Sequence, residues 1–296
     1  MNNTLSIALV QHANQGDTDT NQAYIAQQIT YASQQGARLI VLQELHNSYY
    51  FCQSEDPAMF DLAESIPGAS SDFLAQLAKQ HQCVVVASLF ERRAAGLYHN
   101  TAIVLDSDGR LAGRYRKMHI PDDPGFHEKF YFTPGDIGFM PIQTSVGTLG
   151  VMLCWDQWYP EAARLMALAG AEILLYPTAI GWDRNDSKAE QQCQLAAWQT
   201  IQRSHAIANS LPVLSCNRVG FEPAPNDLSS GIDFWGHSFA CGAQGEILAQ
   251  ADHIPQTLLA EIPLAQSETV RRIWPFLRDR RIDHYAGLSK RFLDES

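Results

Sequence analysis

Three residues with useful chemistry lie at the ends of apolar segments of this 296-residue chain. Glu44 ends the segment RLIVLQE, Lys117 ends RLAGRYRK and Cys154 ends LGVMLC. Sites in α/β proteins assemble where strands end. A thiol, a carboxylate and an amine together suit attack on an amide or urea carbon. Such attack needs a nucleophile, a base for its proton and a positive group near the developing oxyanion.

Placement alone leaves two interpretations of these residues open. In the first, Cys154 lies between a strand end and a helix N-terminus, where the helix dipole and a nearby lysine are expected to stabilise its thiolate. In the second, Cys154 is a buried structural thiol, Glu44 is a capping or salt-bridged carboxylate, and Lys117 is a surface charge.

The elements around these residues alternate short apolar strands with amphipathic helices. The pattern predicts strands at 5–11, 38–44 and 83–90, with helices over 19–35, capped by Asp19 or Thr20, and 71–82 between them. Two antiparallel hairpins follow, with turns at 106–109 and 145–148. The remaining prediction is a helix from Pro160 to 169, a strand at 172–178, a helix over about 188–209, a strand at 212–221 and a hairpin around 244–245. Gly-Ala pairs at 36–37 and 170–171 precede two similar strands. This suits two α/β halves packed face to face, but a match this short also arises by chance.

The composition indicates an α/β globular protein and excludes several partners. Lys and Arg number 21 against 32 Asp and Glu, so the net charge is −11, which disfavours nucleic acid and anionic membranes. The longest apolar run, about eight residues at 83–90, is too short to span a membrane. The N-terminal segment has no basic region, so no signal peptide is predicted. Six scattered cysteines without a CxxC pair favour a reducing, cytoplasmic location. No linker is evident, so we expect a single domain over 1–296 with a C-terminal arm from about 266.

Five segments carry a resemblance to a known family. They are QELHNSYYFCQ, RYRKMHIPDDPGFHEKFYFTPGD, CWDQWYPEAAR, YPTAIGWD and RDRRIDHYAGL. Together they resemble the nitrilase superfamily of carbon–nitrogen hydrolases, from residue 5 to about 291. The resemblance implies an αββα sandwich that forms an αββααββα core across a dimer or higher homo-oligomer. It implies neither an organic cofactor nor a metal, and the sequence has no HExxH motif, zinc-finger spacing or phosphate-binding glycine motif.

The resemblance also implies four catalytic residues. Cys154 is expected to attack, while Glu44 takes the thiol proton and returns it to the departing nitrogen. Lys117 and the backbone N–H of Trp155 are expected to hold the oxyanion. Glu128 is expected to keep Lys117 and the base in register.

The reaction that the resemblance implies is hydrolysis of the terminal carbamoyl group of N-carbamoylputrescine, which gives putrescine, carbon dioxide and ammonia. Alternatives within the superfamily are an N-carbamoyl amidase of the β-ureidopropionase type and an ω-amidase. A catalytically silent binding protein on the same fold is disfavoured, because all the catalytic positions are intact. The expected partner is therefore a small cationic ureido compound, with no nucleic acid and no membrane.

The far end of such a substrate requires a carboxylate, because its primary amine has a pKa of about 10 and is charged at neutral pH. Asp183, which follows YPTAIG, is the first candidate, and Asp123 and Asp122 in the IPDDPG loop come next. Loop aspartates also cap turns and face water, so a structural role stays open. The other candidates for substrate contact are Trp155, Tyr50 and His127.

Overall fold

Two six-stranded β-sheets face each other in the computed structural model, which describes residues 4–225 and 227–293. In chain order the strands are β1 (Thr4–Gln11), β2 (Leu39–Leu42), β3 (Val84–Ala94), β4 (Leu97–Leu105), β5 (Leu111–Arg116), β6 (Ile142–Thr144), β7 (Gly147–Val151), β8 (Ile173–Thr178), β9 (Gly181–Asp183), β10 (Val213–Asn217), β11 (Val219–Ala224), β12 (Asp227–Trp235), β13 (Phe239–Cys241), β14 (Ile247–Gln250) and β15 (Gln256–Pro263). The α-helices are α1 (Thr18–Gln34), α2 (Ala69–His81), α3 (Glu128–Tyr131), α4 (Pro160–Leu168), α5 (Lys188–Asn209) and α6 (Ala265–Ile273).

The two large sheets repeat one pattern of strand directions. The first has the order β15-β1-β2-β3-β4-β5, and the second has the order β14-β13-β10-β8-β7-β6. In each sheet three neighbouring strands are parallel, β1-β2-β3 and β7-β8-β10, and the strands outside them are antiparallel. The Gly-Ala pairs precede β2 and β8, the middle strands of the two trios. The two segments therefore occupy equivalent places in two halves that pack face to face.

The molecule has four layers in the order helix, sheet, sheet, helix, and apolar side chains pack between them. Between the sheets, Leu9 and Val41 of the first pack in one cluster with Leu149 and Leu175 of the second. On the outer side of the first sheet, α1 and α2 bury a separate cluster, while α4 and α5 cover the second sheet. The parallel strands are apolar at almost every position because both of their faces are buried. The predicted αββα sandwich is confirmed.

The structure corrects two local predictions. Helix α1 is capped by Asp17, whose carboxylate accepts the N–H of Thr20 at 2.8 Å, and not by Asp19 or Thr20. The predicted strand at 212–221 is two strands in different sheets, because the chain turns at Asn217 and Arg218. The side chain of Asn217 bonds to the backbone of Ile180 after β8, and the N–H of Arg218 donates to the carbonyl oxygen of Thr178 at the end of β8. Strand β11 then joins β12 and β9 in a third sheet, which the sequence analysis missed.

The C-terminal part of the described chain follows β15, the last strand of the two large sheets. Helix α6 begins at Ala265, and two 3₁₀ helices, Ile282–His284 and Ala286–Ser289, follow it. The arm from about 266, the single domain and the dimer stay predictions. Over residues 4–225 and 227–293, no helix has both the length and the apolar character to cross a membrane.

Candidate active site

Four buried residues meet where strands of the two sheets end. Glu44 lies two residues beyond β2, and Lys117 directly follows β5. Cys154 lies three residues beyond β7, and Glu128 is the first residue of α3. The first three come from both sheets, so the face-to-face packing brings them together.

Lys117 joins two carboxylates. Its Nζ lies 2.8 Å from Oε1 of Glu44 and 2.6 Å from Oε2 of Glu128. The other oxygen of Glu128, Oε1, accepts the hydroxyl of Tyr50 at 2.8 Å. Both oxygens of Glu128 therefore accept hydrogen bonds, which fixes the carboxylate against the lysine.

Burial and charge set the protonation of this group. Burial alone would lower the pKa of Lys117, but the carboxylates of Glu128 and Glu44 raise it well above its usual value. Burial raises the pKa of Glu128 to about 7, against the opposing effect of Lys117. The lysine thus stays charged, whereas Glu128 exchanges its proton near neutral pH.

Cys154 is a thiol in the resting site. Burial and the charge of Glu44 raise its pKa well above the usual value, and Lys117 opposes them only in part. This corrects the expectation of a stabilised thiolate, because two carboxylates accompany the single lysine. The helix that begins at Cys154 is a 3₁₀ helix of only five residues, Cys154–Trp158. The proton must therefore leave as the sulfur attacks.

The proton has an acceptor within the same cluster. Oε2 of Glu44 is buried and has no hydrogen-bond partner in the described part of the chain, whereas Oε1 accepts from Lys117 and from Nδ2 of Asn100 at 2.7 Å. The thiol of Cys154 makes a long hydrogen bond, 3.8 Å from Sγ to the carbonyl oxygen of Ala179. The arrangement suits attack by sulfur with a carboxylate as base.

Asp156 holds the turn that carries Cys154. Its carboxylate accepts the N–H of Leu153 at 3.1 Å, the N–H of His119 at 3.0 Å and the hydroxyl of Tyr115 at 2.8 Å. The Nδ1 atom of His119 also lies 2.7 Å from it. Asp156 and Asn100 were not predicted from the sequence, because most of their partners lie far away along the chain.

A cavity of about 510 Å³ opens beside Cys154. It is lined by Pro121, Asp123, Pro124, Phe126, Cys154, Trp155, Trp158, Ala179, Ile180, Gly181, Asp183, Asp186, Gln194, Ala197 and Trp235. Among the described residues, the lining contains three carboxylates but no lysine, arginine or histidine. Such walls suit an apolar chain that ends in a cation.

The three carboxylates of the cavity differ in their surroundings. Asp183 is exposed and already accepts the backbone N–H and the side-chain amide of Asn185, at 2.8 and 2.9 Å. Asp186 accepts a 3.2 Å hydrogen bond from Gln194. Asp123 is half-buried, and its Oδ1 has no partner within the described ranges. Burial and the neighbouring Asp122 raise the pKa of Asp123.

Two of the predicted substrate contacts lie outside this lining. Tyr50 is buried against Glu128, and His127 precedes α3 with its Nδ1 3.8 Å from the exposed Asp122. Trp155, Asp183 and Asp123 do line the cavity. Throughout 4–225 and 227–293, no cluster of three His, Cys, Asp or Glu side chains is placed to hold a metal ion.

Comparison with known proteins identifies a family. The sequence profile described as carbon–nitrogen hydrolase matches residues 6–272. An N-carbamoylputrescine amidase of Solanum lycopersicum is 41% identical over 97% of this chain and 95% of its own length. A citrullinase of Francisella tularensis is 39% identical over 97% of this chain and 99% of its own. The crystal structure of a carbon–nitrogen hydrolase from Helicobacter pylori G27 is 55% identical, with a TM-score of 0.95 over 98% of this chain and 100% of that one.

Proposed function

The chain belongs to the carbon–nitrogen hydrolase family, and from this we propose that it hydrolyses the terminal carbamoyl group of N-carbamoylputrescine. The charge of the cavity carries the proposal. Of the residues that the structure describes, three carboxylates and no basic side chain line the space beside Cys154. An ammonium at the far end of a ureido substrate finds a partner there, whereas a carboxylate does not.

In this proposal the buried cluster performs acyl transfer. Sγ of Cys154 attacks the carbamoyl carbon while Oε2 of Glu44 takes the thiol proton. The ammonium of Lys117 and the N–H of Trp155 stabilise the oxyanion, and Glu128 fixes the lysine. Glu44 returns the proton to the departing nitrogen as its bond to carbon breaks. Glu44 then deprotonates a water molecule, which attacks the thiocarbamate carbon. The S–C bond breaks, Glu44 returns this proton to the sulfur of Cys154, and the released carbamic acid decomposes to carbon dioxide and the remaining amine.

The two named relatives present the alternatives for the substrate. N-carbamoylputrescine and citrulline share a ureido group, but citrulline also carries a carboxylate beside its amine. Citrulline would bring that carboxylate into a cavity that already holds Asp123, Asp183 and Asp186 without a cation. Like charges repel most strongly where water is excluded. The cavity therefore favours the diamine derivative.

A substrate panel tests the proposal. Ammonia release is measured with N-carbamoylputrescine, citrulline, N-carbamoyl-β-alanine and an ω-amide. We expect kcat/KM for N-carbamoylputrescine to exceed the others more than about tenfold, the effect of one ion pair in a desolvated site. Cys154→Ala is expected to abolish turnover while it keeps the fold. A preference for an anionic ureido acid, or an active Cys154→Ala variant, would overturn the proposal.

We assign the ammonium to Asp123 in preference to Asp183. Asp123→Asn is expected to raise KM for N-carbamoylputrescine about tenfold or more, because a buried oxygen that lacks another partner loses its charge. The KM for uncharged N-butylurea should change little. Asp183→Asn is the matched control and should alter neither KM, because the exposed Asp183 is engaged by Asn185. A rise in KM for N-carbamoylputrescine in Asp183→Asn but not in Asp123→Asn would instead assign the ammonium to Asp183.

The cellular part of the proposal is putrescine synthesis in the cytoplasm. Deletion of the gene should then cause N-carbamoylputrescine to accumulate in cell extracts, which mass spectrometry can measure. Unchanged levels would separate the enzyme from this pathway without contradicting its chemistry.

A further inference from the structure

Asn100 occupies a position that connects the base of the site to its lysine. It lies on β4 and is fully buried. Its Nδ2 donates to Oε1 of Glu44 at 2.7 Å, and its backbone carbonyl accepts the N–H of Lys117 at 2.9 Å. One residue therefore holds both the carboxylate and the backbone of the lysine that faces it.

A serine fixes the orientation of the Asn100 amide. The hydroxyl of Ser88 donates to Oδ1 of Asn100 at 2.8 Å and accepts the N–H of Leu45 at 3.2 Å. Because Oδ1 is engaged by this hydroxyl, the NH₂ group must point to the carboxylate. Leu45 follows Glu44, so the hydrogen bonds close a ring that starts and ends at the base.

The ring makes the two oxygens of Glu44 unequal. Oε1 receives two donors, one from Lys117 and one from Asn100, while the buried Oε2 receives none from the described residues. Hydrogen bonds that are already made at one oxygen leave the other as the site of proton uptake. The carboxylate also cannot rotate without the loss of charge-assisted hydrogen bonds at Oε1.

We propose that Asn100 is a positioning residue that directs the thiol proton of Cys154 to Oε2 of Glu44. The proton moves from Sγ to Oε2 as the S–C bond forms, and later from Oε2 to the departing nitrogen. Asn100 donates only to Oε1 and itself exchanges no proton. This inference rests on the proposed role of Glu44 as the base.

The test removes the donor and keeps the shape. Asn100→Leu is expected to lower kcat about tenfold or more, since general-base catalysis depends on the placement of the base. KM for N-carbamoylputrescine should stay unchanged, because Asn100 does not line the cavity. The rate at which iodoacetamide alkylates Cys154 should fall with kcat, as thiolate formation requires the same base. Mass spectrometry assigns the adduct, because Cys193 is exposed.

Thr101→Val supplies the matched control. Thr101 is the next residue of β4 and equally buried, but its hydroxyl bonds to Glu91 on the other side of the strand. It should leave kcat, KM and the alkylation rate near their original values. A purely structural role of this strand would instead make the two variants alike.

Two further variants keep the inference falsifiable if Asn100→Leu does not fold. Ser88→Ala removes the hydroxyl that orients the amide of Asn100, and Ser88 itself makes no hydrogen bond to Glu44 in the described part of the chain. Asn100→Ser replaces the amide with a shorter hydroxyl donor. Both should lower kcat at constant KM. Unchanged kcat in every folded variant, or a rise in KM alone, would overturn the inference. Glu44→Gln distinguishes failure of the proposed base from failure of this inference. An active Glu44→Gln variant would contradict the role of Glu44 as the base. An inactive Glu44→Gln variant together with fully active Asn100 variants would contradict only the role of Asn100.

Discussion

At the scale of single residues, one cation faces two carboxylates in the buried interior, where strands of the two sheets end. Lys117 donates to Glu44 and Glu128, and all three are buried. Burial and then the negative charge of Glu44 raise the pKa of the Cys154 thiol, which explains why it rests protonated. In the mechanism that we propose, Cys154 therefore stays unreactive until an electrophile lies against it and Glu44 accepts the proton.

Glu128 is expected to give the enzyme a pH limit near neutrality. Burial raises its pKa from an ordinary 4.5 to about 7, so it gains a proton as the pH falls through about 7. A protonated carboxyl has no charge and attracts the ammonium of Lys117 more weakly, so the lysine is then less firmly held. We expect kcat to fall as the pH is lowered from 8 to 6, which a pH series of ammonia release measures.

The matching variants identify the titrating group. Glu128→Gln should have a low kcat that is nearly constant over this pH range, because the amide does not titrate. Glu172→Gln changes an exposed carboxylate and should keep the original profile. If kcat of Glu128→Gln still falls over the same pH range, the titrating group is a residue other than Glu128.

At the scale of elements, the turn after β7 depends on one buried carboxylate. Asp156 accepts hydrogen bonds from Leu153 in this turn, from Tyr115 on β5 and from His119 just after β5. Cys154 lies within this turn and adopts a positive φ of 36°, a conformation that is unusual for a residue with a side chain. The acceptor therefore stabilises a backbone shape that the sequence does not favour by itself.

Asp156→Asn is expected to lower the free energy of unfolding by about 1–3 kcal/mol, because its NH₂ group leaves buried donors without an acceptor. It should also lower kcat, since the turn places the sulfur. Urea unfolding and steady-state kinetics measure the two effects. Asp108→Asn, at an exposed turn, is the control and should change neither. An Asp156→Asn variant of unchanged stability would show that the turn holds its shape without the carboxylate.

Local patterns in the sequence predict most elements but few of their partners. The runs at 38–44 and 172–178 predict β2 and β8 because parallel strands are apolar throughout. Nothing local marks β12, where Ser-Ser-Gly interrupts the alternation of apolar and polar residues. Asn100 and Glu44 are 56 residues apart, so only tertiary packing shows that they meet. Our preference for Asp123 over Asp183 as the contact of the ammonium likewise depends on burial, which the loop sequences do not reveal.

At the scale of the whole molecule, the outer helix layer leaves an apolar face open to solvent. Leu165 and Leu168 on α4 are 47% and 51% exposed, and Ile207 on α5 is 40% exposed. Leu165 and Leu168 lie three residues apart and so share one face of the helix. Exposed apolar residues on one layer suit contact with the same layer of a second copy. This face fits the αββααββα dimer that we expect.

Leu165→Glu combined with Leu168→Glu is therefore expected to convert a dimer into a monomer, because charges placed in an apolar contact lose their hydration without a partner. Sedimentation velocity measures the mass, and circular dichroism shows whether the monomer keeps its fold. Ile254→Glu changes an exposed apolar residue of a loop, distant from this face in sequence, and should leave the dimer intact. The C-terminal arm is the competing contact, since Ile282, Leu288 and Phe292 are also exposed. A dimer that survives the double substitution but dissociates when the chain is cut after Ile273 would move the interface to the arm.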